Sequence, residues 1–136
     1  MMNAIETFLS AGAFAVAGAS RDPSKYGNRV LKALIESRRK VFPLNPTAPE
    51  VEGVRAYAAI ADLPELPESL SVVTPPRVTR EVVRQAIAAG VKNVWMQPGA
   101  EDDQASAEAR AAGLNVIDDG SCILVSLSIE RSKRRG

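Results

Sequence analysis

Short apolar runs that stop at glycine or proline recur along this chain, and segments with helical periodicity separate most of them. The runs are "AFAVAG" (Ala13–Gly18), "KVFPLNP" (Lys40–Pro46), "SLSVVTPP" (Ser69–Pro76), "VKNVWMQPG" (Val91–Gly99) and "LNVID" (Leu114–Asp118). Runs of this length, apolar on both alternating faces, fit strands buried on both sides of a sheet. Between them, Val30, Leu31, Leu34 and Ile35 share one face of a helix predicted from about Gly27 to Arg38. In "VTREVVRQAIAAG", Val82, Val83, Ala86 and Ile87 do the same, and a further helix is predicted over Glu101–Ala112. A short strand is expected near Arg55–Tyr57 and a helical turn near Ala58–Asp62. "SCILVSLSI" (Ser121–Ile129) reads as either a last strand or a short helix.

Alternating strands and helices dictate an α/β fold. The expected architecture is a Rossmann-like, doubly wound, mostly parallel sheet of five to six strands with helices on both faces. A chain of 136 residues suits a single domain, 1–136. "AIAAGVKNVW" and "ARAAGLNVID" repeat one device: a helix end, a glycine suited to a left-handed cap, then a strand. The apolar stretch Phe8–Ala19 looks at first like a signal-peptide core. No Lys or Arg precedes it, since the first cation is Arg21, and it is too short to span a bilayer. It reads as the end of a short leading helix followed by the first buried strand.

Charge and composition narrow the function. Seventeen Lys and Arg against sixteen Asp and Glu leave a net charge of +1, which argues against a nucleic-acid surface. The chain has no histidine, which removes histidine-based triads, the usual zinc sites and a phosphohistidine relay. The single cysteine, Cys122, rules out an intrachain disulfide and fits a reducing cytoplasm; as a free thiol it is expected to be a small buried hydrophobe. The tail "ERSKRRG" reads as a solvated basic end.

The loops after the strands carry the polar residues: Gly18-Ala19-Ser20-Arg21, Asn45-Pro46, Thr74-Pro75-Pro76-Arg77 and Gln97-Pro98-Gly99. In a doubly wound sheet these loops share one rim, where ligands bind. Gly18 permits a backbone conformation other residues avoid, Ala19 allows close approach, and Ser20 offers a hydroxyl to a phosphate oxygen. The loop feeds a helix whose free amides and dipole favour an anion, and Arg21, Lys25 and Arg29 add positive charge. A dinucleotide fold would carry GxGxxG here and an acid after the second strand; this chain lacks the glycines between Gly18 and Gly27 and ends that strand in Leu44-Asn45-Pro46. It also has no GKS or GKT of a P-loop.

"VAGASRDPSKYGNRVLKAL" followed by "VFPLNP" resembles the CoA-binding domain family, small proteins similar to the N-terminal domain of the succinyl-CoA synthetase alpha subunit and of ADP-forming acyl-CoA synthetases. Gly18-Ala19-Ser20, Tyr26-Gly27-Asn28, Pro43 to Pro46, Thr74-Pro75-Pro76, Trp95 to Gly99 and "LNVIDDGSCILV" carry the likeness over nearly the whole chain. The resemblance implies coenzyme A or an acyl-CoA at the strand ends. Gly18, Ala19, Ser20 and Arg21 would hold the pyrophosphate. Asn45 and Pro46 would border the nucleotide, and Thr74, Pro75 and Pro76 would wall the adenine or ribose. Gln97 and Gly99 would lie nearer the pantetheine, and Arg77 would reach a phosphate. The closing segment departs from the usual Asp-Arg-Cys by placing Gly120 and Ser121 between Asp119 and Cys122, which leaves the role of Cys122 open.

The larger synthetases that the resemblance brings in add a second domain with a phosphorylated histidine and an ATP-grasp partner. Without histidine this chain cannot run that relay alone, and no nucleophile–base pair stands out. Asp118 and Asp119 read as turn carboxylates. The expected role is a non-catalytic CoA-binding or regulatory protein with no membrane or metal function, alone, as a homo-oligomer or with a protein partner. An NAD(P)-binding domain and the nucleotide-binding subunit of a split acyl-CoA synthetase remain as alternatives. Arg21→Glu and Gly18→Val are each expected to cut CoA affinity and leave the fold intact.

Overall fold

The computed structural model describes residues 1–135. A five-stranded, wholly parallel sheet is built from β1 (Phe14–Ala17), β2 (Val41–Leu44), β5 (Ser69–Val72), β6 (Asn93–Met96) and β7 (Asn115–Ile117), in the order β2-β1-β5-β6-β7. A two-stranded antiparallel ribbon, β3 (Glu50–Val51) and β4 (Val54–Arg55), stands apart from it. The helices are α1 (Ala4–Leu9), α2 (Tyr26–Glu36), α3 (Pro76–Ala89), α4 (Asp103–Ala111) and α5 (Ile123–Arg135), with a 3-10 turn at Ile60–Asp62.

The sheet divides two apolar cores by residue parity. Phe14 and Val16 of β1 and Trp95 of β6 pack with Val30, Leu31 and Leu34 of α2, Phe8 of α1, and Ile123 and Leu127 of α5. Ala15, Ala17, Val94 and Met96 face the other way, onto Val83 and Ala86 of α3 and Ala105 and Ala109 of α4. The period-two alternation of the strands and the 3.6-residue stripe of the helices meet on each face. Trp95 is fully buried, edge-on to Phe8 at 5.2 Å, and its indole N–H donates to the Ser121 carbonyl. Gly90 and Gly113 adopt the left-handed conformation anticipated at the two repeated helix ends, with φ of 95° and 85°.

Three sequence expectations shift. The strand expected at Arg55–Tyr57 is instead β4, and Tyr57 makes only an isolated bridge to Leu44. The ambiguous closing run is a helix, because Ile123, Leu127 and half-buried Leu124 lie on one face against α2. The basic tail belongs to that helix, and Glu130 is not solvated: it takes a bidentate pair from Arg39 at 2.8 and 2.9 Å. Gly136 lies outside the described residues. Among the described residues, no helix is long and apolar enough to cross a membrane.

Candidate functional site

Strand register brings the predicted loops together. Ala17 lies opposite both Leu44 and Val72, and Val72 opposite Met96, so the loops after β1, β2, β5 and β6 leave the sheet at one level. Chain order reverses between β1 and β5, which makes the space above them the crevice of a doubly wound sheet.

The loop after β1 is tightly held. Gly18 has φ of 88°, and a Cβ there would collide with the carbonyl oxygen of Val73. Gly27, in the first turn of α2, is equally constrained: a Cβ would strike the Gly18 carbonyl. Two asparagines then set the peptides between them. Asn45 Nδ2 donates to the Ala19 carbonyl and Asn28 Nδ2 to the Ser20 carbonyl, each at 2.9 Å. In a trans peptide the C=O and N–H point in opposite directions. The N–H groups of Ser20 and Arg21 are therefore turned away from the asparagines, and among the described residues they donate to no protein acceptor.

Helix α2 starts beside this loop without a side-chain cap. Its first amides, on Tyr26, Gly27 and Asn28, are left to solvent or a ligand. Free loop amides beside an uncapped helix start are the groups that can hold an anion. The Ser20 hydroxyl accepts from the Asp22 amide at 3.1 Å and keeps its own proton to donate. Asp22 is turned back onto Ser24, whose hydrogen bonds hold its carboxyl below the usual range. Arg21, Lys25, Arg29 and Arg77 are exposed and have no carboxylate within salt-bridge distance among the described residues. Arg29 also borders a groove of about 540 Å³ between α2 and α5, which runs from Pro23 and Asn28 beside the loop to Glu36 and Arg134.

Other predicted site residues serve as framework. Asn45 is used on both sides, since its Oδ1 also accepts from the amides of Thr47 and Ala48, both at 2.9 Å. Pro46 is exposed beside it. Gln97 is fully buried: its Nε2 donates to Ser71 Oγ, and its Oε1 accepts from the Ile123 amide at 2.9 Å and the Tyr26 hydroxyl at 3.2 Å. Tyr26 Oη also lies 2.6 Å from Cys122 Sγ. With the Tyr26 proton on Gln97, the thiol is the donor of that contact. Burial pushes the Tyr26 hydroxyl well above its ordinary pKa. Cys122 is thus half-buried and hydrogen-bonded, where the sequence suggested a buried apolar thiol.

On the β5 side, Thr74 Oγ1 is paired with Thr79 Oγ1 at 2.7 Å. Pro75 precedes α3 and Pro76 opens it; both are exposed, as is Arg77, and α3 also lacks a side-chain cap. Gly99 is exposed with φ of 95°, its N–H held by Glu101 at 2.7 Å. Sequence reasoning missed Ser71, Thr79 and Glu52. Glu52 Oε2 accepts from Asn28 Nδ2 at 2.8 Å. The partners of Ser71 and Glu52 are distant in the chain, whereas Thr79 bonds within its own turn, and only the polar serines interrupting an apolar strand gave any signal for Ser71.

Comparison with known proteins points the same way. A family model described as a CoA binding domain matches residues 12–128. The alpha subunit of the ADP-forming acetate–CoA ligase II of Pyrococcus furiosus is 34% identical over 91 residues, 66% of this chain. This chain spans about a fifth (20%) of that subunit's length. The uncharacterized protein YneT of Bacillus subtilis is 25% identical over 117 residues, 86% of each chain. A solved structure of a conserved hypothetical protein of Pyrococcus furiosus superposes with a TM-score of 0.78 at 38% identity, covering 84% of this chain and 97% of that one. The chain belongs to the CoA-binding domain family.

Proposed function

We propose that the protein binds coenzyme A or an acyl-CoA in the crevice at the carboxyl ends of β1 and β5, as a non-catalytic binding or regulatory module. The observation that carries this reading is the nest at Gly18–Arg21. Its unpaired amides, the Ser20 hydroxyl, the uncapped start of α2 and unpaired cations suit a pyrophosphate. In this reading Ala19 permits close approach of the pyrophosphate, Arg21 grips it, and Lys25 and Arg29 add field from one side. Pro75 and Pro76 offer a rigid ledge for the adenine, with Arg77 at its edge and Pro46 and Gly99 bordering the path. Asn28, Asn45, Thr74, Tyr26 and Gln97 act by holding the loops rather than by touching the ligand.

The family assignment supports CoA over other pyrophosphate ligands. An NAD(P) reading is weakened because β2 ends in Asn45, whose side chain is consumed by Ala19, Thr47 and Ala48, with no acid for a ribose. The non-catalytic part rests on the carboxylates the sequence singled out. Asp118 is clamped by Arg110 at 2.8 and 3.0 Å and Asp119 by Ser121, and these hydrogen bonds hold both below the usual range. Such groups stay ionised and are poor proton donors near neutrality. A role as the nucleotide-binding part of a larger synthetase is the second reading, favoured by the likeness to a ligase alpha subunit.

Calorimetric titration with CoA, with dephospho-CoA, ATP and NADH as controls, tests the proposal. Micromolar, CoA-selective binding is expected. Binding of NADH without CoA would overturn it.

A further inference from the structure

Glu52 lies outside every predicted loop, yet two observations single it out. The first is its backbone. Glu52 and Gly53 form the two-residue turn between β3 and β4, with φ of 51° and 75°. Two positive φ values make a hairpin turn whose first position favours Asn, Asp or Gly. Glutamate is an unfavourable choice there, and a locally unfavourable residue points to a role beyond the turn itself.

The second is the contact it makes. Asn28 is 1% exposed, and its Nδ2 carries two hydrogens. One goes to the Ser20 carbonyl at 2.9 Å and the other to Glu52 Oε2 at 2.8 Å. Two acceptors fix the amide orientation, because a flip would set Oδ1 against both a carbonyl and a carboxylate. The charged acceptor makes the bond to Glu52 the stronger of the two. Glu52 therefore holds Asn28, Asn28 holds the Ser20 carbonyl, and the Arg21 N–H is directed to the far side of the loop.

We propose that Glu52 is a positioning residue for the phosphate-binding loop, fixing the Ser20–Arg21 peptide through Asn28 so that its N–H is presented to the ligand. The inference rests on the CoA reading for the identity of the ligand, but not for the peptide geometry. Its negative charge opposes anion binding, so its contribution is geometric, and charge and geometry are separable. Glu52→Gln keeps an acceptor for Asn28 and removes the charge. Glu52→Gly removes the acceptor and also relieves the positive φ.

The test uses the full chain and reads three quantities: thermal stability, CoA affinity by calorimetry, and the amide shift and hydrogen exchange of Arg21 in the ligand-free protein. Glu52→Gly is expected to melt no lower than the natural chain, to bind CoA about five- to tenfold more weakly, and to alter the Arg21 amide. Glu52→Gln is expected to bind within about twofold of the natural chain or tighter, with the Arg21 amide unchanged. A merely structural role would make stability and affinity fall together. Tighter binding by both variants would make Glu52 a competing anion and overturn the proposal; equal loss in both, or an unchanged Arg21 amide in Glu52→Gly, would also overturn it. If the natural chain binds no CoA, the CoA reading fails alone, and the Arg21 measurement still decides for or against Glu52.

Discussion

A methyl group added at Gly99 meets nothing within 4 Å, whereas one added at Gly18 collides with a backbone carbonyl, although both residues have φ near 90°. Gly99→Ala should therefore cost only the left-handed backbone strain, about 1 kcal/mol. Gly18→Ala adds a clash that only movement of β5's exit can relieve, and should cost about 3 kcal/mol or more in urea unfolding. The expectation that Gly18→Val spares the fold is thus corrected, and that variant cannot report on ligand binding alone. Arg21 is the cleaner probe. It is exposed and unpaired among the described residues, so Arg21→Glu should leave the melting temperature unchanged and weaken CoA binding at least about tenfold, as a charge-assisted contact becomes repulsive. Unchanged affinity would remove Arg21 from the site. The left-handed conformation of Gly18 was legible in the sequence because it is a local requirement, set by a strand-to-helix turn. The side chains of Gln97, Asn28 and Asn45 turn to Ser71, Glu52 and Ala19, partners no local pattern discloses.

The five strands of the parallel sheet and helices α2 and α3 follow from the hydrophobic pattern, with ends shifted by a few residues, whereas β3 was not anticipated. Helix α5 did not follow from it, because a short apolar run has no period of its own and only its packing on α2 decides between strand and helix. That packing is fastened by Arg39, which grips Glu130 at 2.8 and 2.9 Å and also donates to the Leu9 carbonyl at 3.3 Å, tying α1, α2 and α5 together. The pair is mostly buried, with side-chain exposures of 14% and 28%. Glu130→Gln should cost about 1–2 kcal/mol at pH 7. The Arg39 guanidinium lowers the Glu130 pKa from its ordinary 4.5, so the folded value lies below the unfolded one. The carboxylate's contribution is then complete above about 4.5 and is lost as pH falls through the folded value. The difference between natural chain and variant should shrink as pH falls below 4.5 and through the folded value in denaturant titrations. A constant difference across that range would assign the loss to packing instead.

For the molecule as a whole, the parallel sheet was legible in the sequence, because alternation of strand and helix leaves few topologies. The order β2-β1-β5-β6-β7 fixes the crevice between β1 and β5, which no residue pattern specifies. With a net charge of only +1, the molecule offers little long-range attraction to a polyanion, so binding depends on the few cations at the rim. CoA affinity should fall about three- to tenfold between low salt and roughly 0.5 M salt, where screening acts within a few ångströms. A salt-independent affinity would place the phosphates away from Arg21 and Lys25.

The central claim is one of place: the ligand lies over the ends of β1 and β5. Amide chemical-shift mapping during CoA titration tests it most directly. The account predicts that the largest shifts fall on Gly18 to Arg21, Tyr26 to Asn28, and Thr74 and Arg77. Shifts concentrated instead on Ala33, Leu124, Leu127 and Arg131, which line the groove between α2 and α5, would contradict it.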